Sequence, residues 1–238
     1  SVGTIQRHLW LENPKNRLML GPWDHGARGH CSPWRAVGTP AQQPFVAAEI
    51  LRFFDLHLKG LESGLSDEAP VHYYTMGAER WRAAARWPVS SHETKLYFSE
   101  SHNLSPEAPN AADAHDVYQA DYSCRTGSHT RYDRLYIANV ETYYDDWHGR
   151  DEKMLCYTGA PLPEDTEVTG HPVIDLHFSC SEKDGAFFVY LSDVTPEGRA
   201  VYVTEGVFRA LHRAPGHNPE DIPETGPTHS FNQADAQH

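Results

Sequence analysis

The segment Leu20-Gly21-Pro22-Trp23-Asp24-His25-Gly26 sets an imidazole between an acid and a glycine, directly after a short apolar run and a Gly-Pro turn. A histidine presented at the C-terminal edge of a buried strand sits where open α/β sheets build their sites. In hydrolases whose triad runs Ser…Asp…His along the chain, the general base occupies a loop of this kind, after the last strand. Such a base reaches a nucleophile hydroxyl through one ring nitrogen and a carboxylate through the other. On the residues alone, a loop histidine that bonds a backbone carbonyl or caps a helix is the better fit, because one histidine makes no triad.

The neighbours of His25 carry simpler readings. Adjacent side chains in an extended loop point apart, so Asp24 is expected to shape the loop rather than to pair with His25. Ser32 has no nucleophile elbow around it and reads as a turn former. Trp23 either walls an acyl pocket or packs under the loop. His30 shares the loop, and its removal is expected to cost far less than removal of His25. The nearest approach to a metal cluster is His25, His30 and Cys31, without the HExxH or CxxC spacing of a zinc site. Asp145-Asp146 and Asp193 lack EF-hand spacing. Neither a metal nor another cofactor is expected. Cys31, Cys124, Cys156 and Cys180 form no CxxC pair and read as thiols.

Around the histidine, the chain reads as helix, strand, loop, helix. Thr4 to Leu11 is a helical candidate ended by Asn13-Pro14. Arg17 to Leu20 is an apolar run between breakers, which suits a buried strand. A polar loop spans Gly21 to Gln43. Pro44 then opens a helix at its first turn, where a missing N–H costs nothing. Val46, Ile50, Phe53, Phe54 and His57 recur at helical spacing, Leu58 extends the stripe, and Gly60 can take the left-handed cap after Lys59.

After Gly60 the period changes. Val71–Met76, Lys95–Phe98, Met154–Tyr157, Val168–Ser179, Ala186–Leu191 and Ala200–Thr204 are strand candidates, and Asp193 to Gly198 reads as a hairpin turn. Short strands without crossover helices predict an antiparallel sandwich or jelly roll. Tyr73, Tyr74, Trp81 and Trp87 are either core or interface aromatics. Glu167 to Gly170 is expected to start a strand. Glu100 to Arg131 reads as a long excursion, and Ala214 to His238 as a loop or unsupported tail.

Charge and composition limit the partners. The 238 residues carry 20 Lys+Arg against 33 Asp+Glu, a formal net charge of −13. That excess argues against nucleic acid or an anionic membrane, because phosphate binding needs clustered cations. With 39% hydrophobic residues the chain can build a core. No apolar run approaches the roughly 18 residues of a spanning helix, and Ser1 to Gln6 lacks the pattern of a signal peptide. The cytoplasm is the default location. A start at Ser1 rather than Met suggests a fragment.

Gly21-Pro22-Trp23-Asp24-His25-Gly26 resembles the histidine motif of the cocaine esterase / X-Pro dipeptidyl-peptidase superfamily of serine hydrolases. Arg52-Phe53-Phe54-Asp55 with Leu58-Lys59-Gly60 is similar to that family too, as is Tyr73 to Ala78 with Trp81-Arg82 and Trp87-Pro88. Leu155 to Thr158, Pro161-Leu162, Glu167 to Gly170, Asp193-Val194, Gly198-Arg199, Thr204 to Gly206 and Arg209-Ala210 continue the series in order, up to about Arg213. Each tetrapeptide is weak and the ordered series is strong.

The resemblance implies an α/β-hydrolase domain with a helical cap, followed by a jelly roll like the galactose-binding modules. It implies a Ser-Asp-His triad that cleaves acyl esters or amide and peptide bonds through an acyl-enzyme, with His25 as the base. The sequence contains no G-x-S-x-G elbow. Nucleophile and acid are therefore expected upstream of Ser1, and the last sandwich strands beyond His238. On this reading, residues 1–65 are the C-terminal remnant of the hydrolase domain, its last strand, loop and helix. Residues 66–238 are an incomplete jelly-roll sandwich. The chain is predicted to be inactive alone. Its expected partners are a small ester, amide or short peptide substrate and the missing N-terminal hydrolase domain, with homodimerisation open. The alternative is a non-catalytic binding or structural module that stabilises a hydrolase or mediates dimers.

Overall fold

A computed structural model of the chain describes residues 2–11, 13–27, 29–35, 43–89, 92–111, 113–124, 151–216 and 226–237. Helix α1 spans Val2–Trp10. It turns Ile5 inward, and the Asn16 side-chain amide donates to the carbonyls of His8 (2.6 Å) and Leu11 (3.2 Å), satisfying groups that a helix end leaves open. Strand β1, Leu18–Leu20, pairs in parallel with β2, Val71–Thr75, which pairs antiparallel with β3, Arg80–Ala84. The pleat sends alternate residues of β2 to one side, so Val71 and Tyr73 join Ile5, Leu18 and Trp87 in one buried cluster.

Helix α2, Gln43–Lys59, is the longest helix among the described residues. Gly60 closes it at φ 67, the left-handed conformation expected of it, and its amide reaches the Leu56 carbonyl at 3.1 Å. Arg52, paired within the helix to Glu49 (2.8 Å), ties the helix to the next segment through Glu68 and the Ser63 carbonyl (3.1 Å). Arg17 holds the same segment against β1 by donating to the carbonyls of Leu65 (2.9 Å) and Ala69 (2.8 Å). Half of the apolar stripe is on the surface: Ile50, Phe54 and Leu58 are exposed, as is the adjacent Leu51, while Val46, Phe53 and His57 are half-buried.

Past Gly60, helix is confined to short 3-10 turns among the described residues, and the mainly-β expectation holds. Strand β4, Tyr97–Ser99, pairs antiparallel with β5, Asn103–Ser105, which pairs in parallel with the two-residue β6, Thr158–Gly159. Strands β7, Ala186–Val194, and β8, Ala200–Arg209, form a long hairpin with an irregularity between Leu191 and Ser192. Its turn is the one expected: Gly198 sits at φ 84, and the Thr195 amide reaches the Arg199 carbonyl at 2.9 Å.

Three expectations are corrected. Val168–Ser179 forms no strand: among the described residues no backbone completes a ladder with it, and it is tied through side chains, His171 to Trp87 and Phe178 against Phe187. Met154–Tyr157 likewise falls short, and pairing begins at Thr158. The described residues of the C-terminal stretch, 214–216 and 226–237, are largely irregular, as the loop reading expects, but they are not unsupported. Pro215 bridges His229, the His229 ring lies 4.5 Å from that of Phe208, and Gln237 donates to the Leu211 carbonyl at 2.8 Å.

The buried cluster sets the first prediction. Leu18 is 2% exposed and Leu58 75%. Leu18→Ala removes packed methyl groups and leaves a cavity, so urea unfolding should show a loss of about 3 kcal/mol. Leu58→Ala should stay within about 0.5 kcal/mol of the parent chain.

Candidate active site

The loop that carries His25 leaves β1 through Gly21 and the buried Pro22. An antiparallel bridge between Trp23 and His30 closes it, and the Cys31 amide donates to the Pro22 carbonyl at 2.7 Å. Within it, Asp24 accepts from the Gly26 amide through Oδ1 (3.1 Å), and its carbonyl accepts from the Ala27 amide (3.1 Å). Asp24 is 6% exposed, with its carboxylate engaged in its own turn. The expected loop-shaping role is what the geometry displays. Ala27 completes the reversal at φ 52. His25 stands exposed at the apex.

The stem beneath is buried and polar. His30 is 2% and Ser32 3% exposed. The Ser32 amide donates to His30 Nδ1 at 3.3 Å, which leaves the proton of the neutral ring on Nε2. That nitrogen faces Glu79 Oε2 at 4.0 Å, while the ring meets Tyr74 edge-on at 5.3 Å between centroids. Burial lowers the His30 pKa below its ordinary value of 6.5; Glu79 opposes the shift and Arg35 adds to it. Ser32 donates its hydroxyl to Glu79 Oε1, not to an imidazole, and accepts from the Trp34 amide at 3.3 Å. The hydroxyl therefore lacks a base to activate it, and Ser32 acts as a turn former.

Aromatic rings flank the loop. Trp23 packs on Trp81 (5.6 Å), which also meets Tyr74 and Phe45, each at 5.4 Å. Tyr73 and Trp87 belong to the core beneath the sheet. On the far side, buried Cys31 packs with Tyr202, Tyr190 and Ala200 of the β7–β8 hairpin. The loop stem is thus held between two sheets. Asp193 is exposed on β7, and Asp145-Asp146 lie outside the described residues. Among the described residues no three His, Cys, Asp or Glu gather as a metal-holding group.

Two residues that sequence reading passed over or misread are anchors. Glu79, 47 positions from Ser32, has no sequence signal beyond following the Gly77-Ala78 turn. Glu167, expected at a strand start, is instead a clamp. It pairs with Arg82 (2.6 Å) and accepts from Tyr73 Oη (3.2 Å) and Thr169 Oγ1 (3.0 Å). Nearby, Trp87 donates its indole N–H to His171 Nε2 at 3.0 Å. Burial holds the His171 pKa below its ordinary 6.5.

Residues 63–224 match the family model of the X-Pro dipeptidyl-peptidase C-terminal non-catalytic domain. Proteins named "Putative serine esterase" in Mycobacterium bovis and Mycobacterium tuberculosis are each 38% identical over 232 residues, 98% of this chain and 37% of theirs. The cocaine esterase of a Rhodococcus species is 29% identical over 225 residues, 87% of this chain and 38% of its own. The chain thus spans little more than a third of these relatives. The crystal structure of an aminopeptidase from a marine sediment Thaumarchaeota archaeon superposes with a TM-score of 0.59 at 22% identity, covering 82% of this chain and 34% of that one. At that identity the likeness is one of fold. No helix of the described residues is long and apolar enough to cross a membrane.

A pH dependence follows from His30 and His171. Both are held neutral in the fold, whereas the unfolded chain takes up protons near the ordinary value of 6.5. Stability is therefore full above 6.5 and falls as the pH drops through the lowered folded values. Urea midpoints should decline as the pH falls below 6.5. His171→Gln keeps an acceptor for Trp87 without titrating, and should flatten part of that decline.

Proposed function

The chain belongs to the family of the X-Pro dipeptidyl-peptidase C-terminal non-catalytic domain, and on that premise we propose that it supplies the catalytic histidine loop and the C-terminal sandwich of a serine hydrolase. His25 is the general base. The observation that carries this reading is its exposed place on a braced loop at the C-terminal end of a parallel strand, with one oxygen of the neighbouring Asp24 carboxylate bonded inside the loop. A base so placed must find its serine and its acid elsewhere, which fits a nucleophile elbow and an Asp upstream of residue 1.

In the proposed reaction one His25 nitrogen takes the serine hydroxyl proton as Oγ bonds to the acyl carbon. The protonated ring then gives that proton to the departing alcohol or amine as the acyl bond breaks. Water repeats the cycle and regenerates the serine. The substrate class is acyl esters, amides or short peptides, and the chemistry calls for no cofactor. The cytoplasm is the assumed compartment.

Residues 1–65 are the proposed remnant of the α/β-hydrolase domain and 66–238 the galactose-binding-like jelly roll. The start of the non-catalytic match at residue 63, beyond both His25 and α2, supports this division. The exposed apolar face of α2 supports a hydrolase domain packed against it, because large apolar patches mark contact surfaces. The same match favours, as a second reading, a stabilising or binding module with no chemistry of its own. A G-x-S-x-G elbow in the upstream coding sequence decides for the first reading; its absence decides for the second.

The isolated chain should give no burst with an activated ester and no covalent labelling by a fluorophosphonate. Stoichiometric labelling of a serine here would place the nucleophile within these residues. In the full-length protein, His25→Ala should lower kcat by roughly three orders of magnitude with little change in KM. The control is His177→Ala, whose side chain is 97% exposed, and which should leave kcat unchanged. Equal losses in the two variants would remove His25 from the reaction.

A further inference from the structure

We propose that Glu79, within the segment matched as non-catalytic, is the positioning residue for the His25 loop. The inference rests on the reading of His25 as the base. Glu79 lies in the turn between β2 and β3 with φ at 50, a conformation that a residue with a side chain rarely adopts. Four groups converge on its carboxylate. The Gly77 amide (2.9 Å) and the Ser32 hydroxyl donate to Oε1, Tyr74 Oη donates to Oε2 at 3.3 Å, and His30 Nε2 faces Oε2 at 4.0 Å.

Two of those groups belong to the hairpin and two to the stem of the His25 loop. Gly77 and Tyr74 fix the carboxylate, and the carboxylate then fixes Ser32 and His30. From His30 the chain runs through the bridge to Trp23, two residues before His25. The only side chain of the described loop that shapes its apex from within is Asp24, through its bond to the Gly26 amide. The apex is thus defined locally. Its placement against the hairpin rests on the ring contacts of Trp23 and His30 and, for its polar ties, on Glu79. Strain tolerated at a non-glycine residue, and offset by converging bonds, points to a geometric role for that residue. Glu79 does not touch the reacting atoms. It sets where the imidazole waits, and a displacement of about 1 Å can cost a reaction on the order of a hundredfold.

The variants Glu79→Ala, Glu79→Gln and Ser32→Ala in the full-length protein, with His25→Ala alongside, test this. Glu79→Ala should lower kcat by roughly 10- to 100-fold with KM within about twofold, and should slow fluorophosphonate labelling of the active-site serine in parallel. Gln retains the oxygen that accepts from Ser32 and Gly77, so Glu79→Gln should recover kcat to within about fivefold of the parent. Should Glu79→Ala fail to fold, Ser32→Ala, which removes one tie, should still cost roughly three- to tenfold in kcat at unchanged KM. Parental kcat in Ser32→Ala, or a loss in Glu79→Ala that Gln does not recover, would overturn the role of Glu79 while His25→Ala stays inactive. If His25→Ala itself retained activity, the reading of His25 would fall instead.

Discussion

The parallel pairing of Leu18–Leu20 with Val71–Thr75 is the constraint on which the rest of the structure depends. It joins segments about fifty residues apart, and the whole of α2 lies in the connection between them. Once Leu18 lies beside Val71, the end of β1 is fixed relative to the β2–β3 hairpin. The loop that follows β1 then has to pass over that hairpin. Every further contact of the loop, with Glu79, Tyr74 or Trp81, presupposes this register. A parallel pair needs a long crossover, and that crossover is held in turn by arginines. Arg17 and Arg52 converge on Glu68, whose carboxyl is held below its usual range chiefly by its bond to Arg52.

The loop itself divides its labour between backbone and buried polar groups. Its apex is exposed and its stem is dry, so the histidine open to solvent and the histidine shut away from it are only five residues apart. His30 is shut between Tyr74, Glu79 and its own backbone neighbour, and burial keeps it uncharged. A charged ring there would lose hydration, and the attraction of Glu79 at 4.0 Å offsets only part of that loss. The ring works instead as a flat, neutral spacer under the loop. The hairpin β7–β8 presses on the other side through Cys31 and Tyr202.

Local signals in the sequence were enough for the elements that carry their own punctuation. The stop at Gly60, the start of β2 after Pro70 and the turn at Gly198 all come from residues whose backbone preferences act within a few positions. The loop role of Asp24 was legible for the same reason. Glu79 was not, because its partners are 47 and 49 residues away and a glutamate after a turn looks like any solvated acid. Nor was the fate of Val168–Ser179. Its alternation of apolar and polar residues describes a strand, but a strand also needs a neighbour, and sequence period says nothing about whether one is in reach. Strand β3 failed in the opposite way: Arg80–Ala84 lacks apolar alternation, and pairing with β2 alone makes it a strand.

Gly21 shows how little room the loop entrance has for inherited change. A Cβ at this position would come within 2.5 Å of the Cδ2, Cε2 and Cε3 atoms of the Trp23 indole. Even the smallest replacement would push that ring into Trp81, and through Trp81 against Phe45 of the long helix. One methyl group would thus be felt on a different secondary-structure element some two dozen residues away. Crowding against Trp23 is by itself enough to hold this position to glycine.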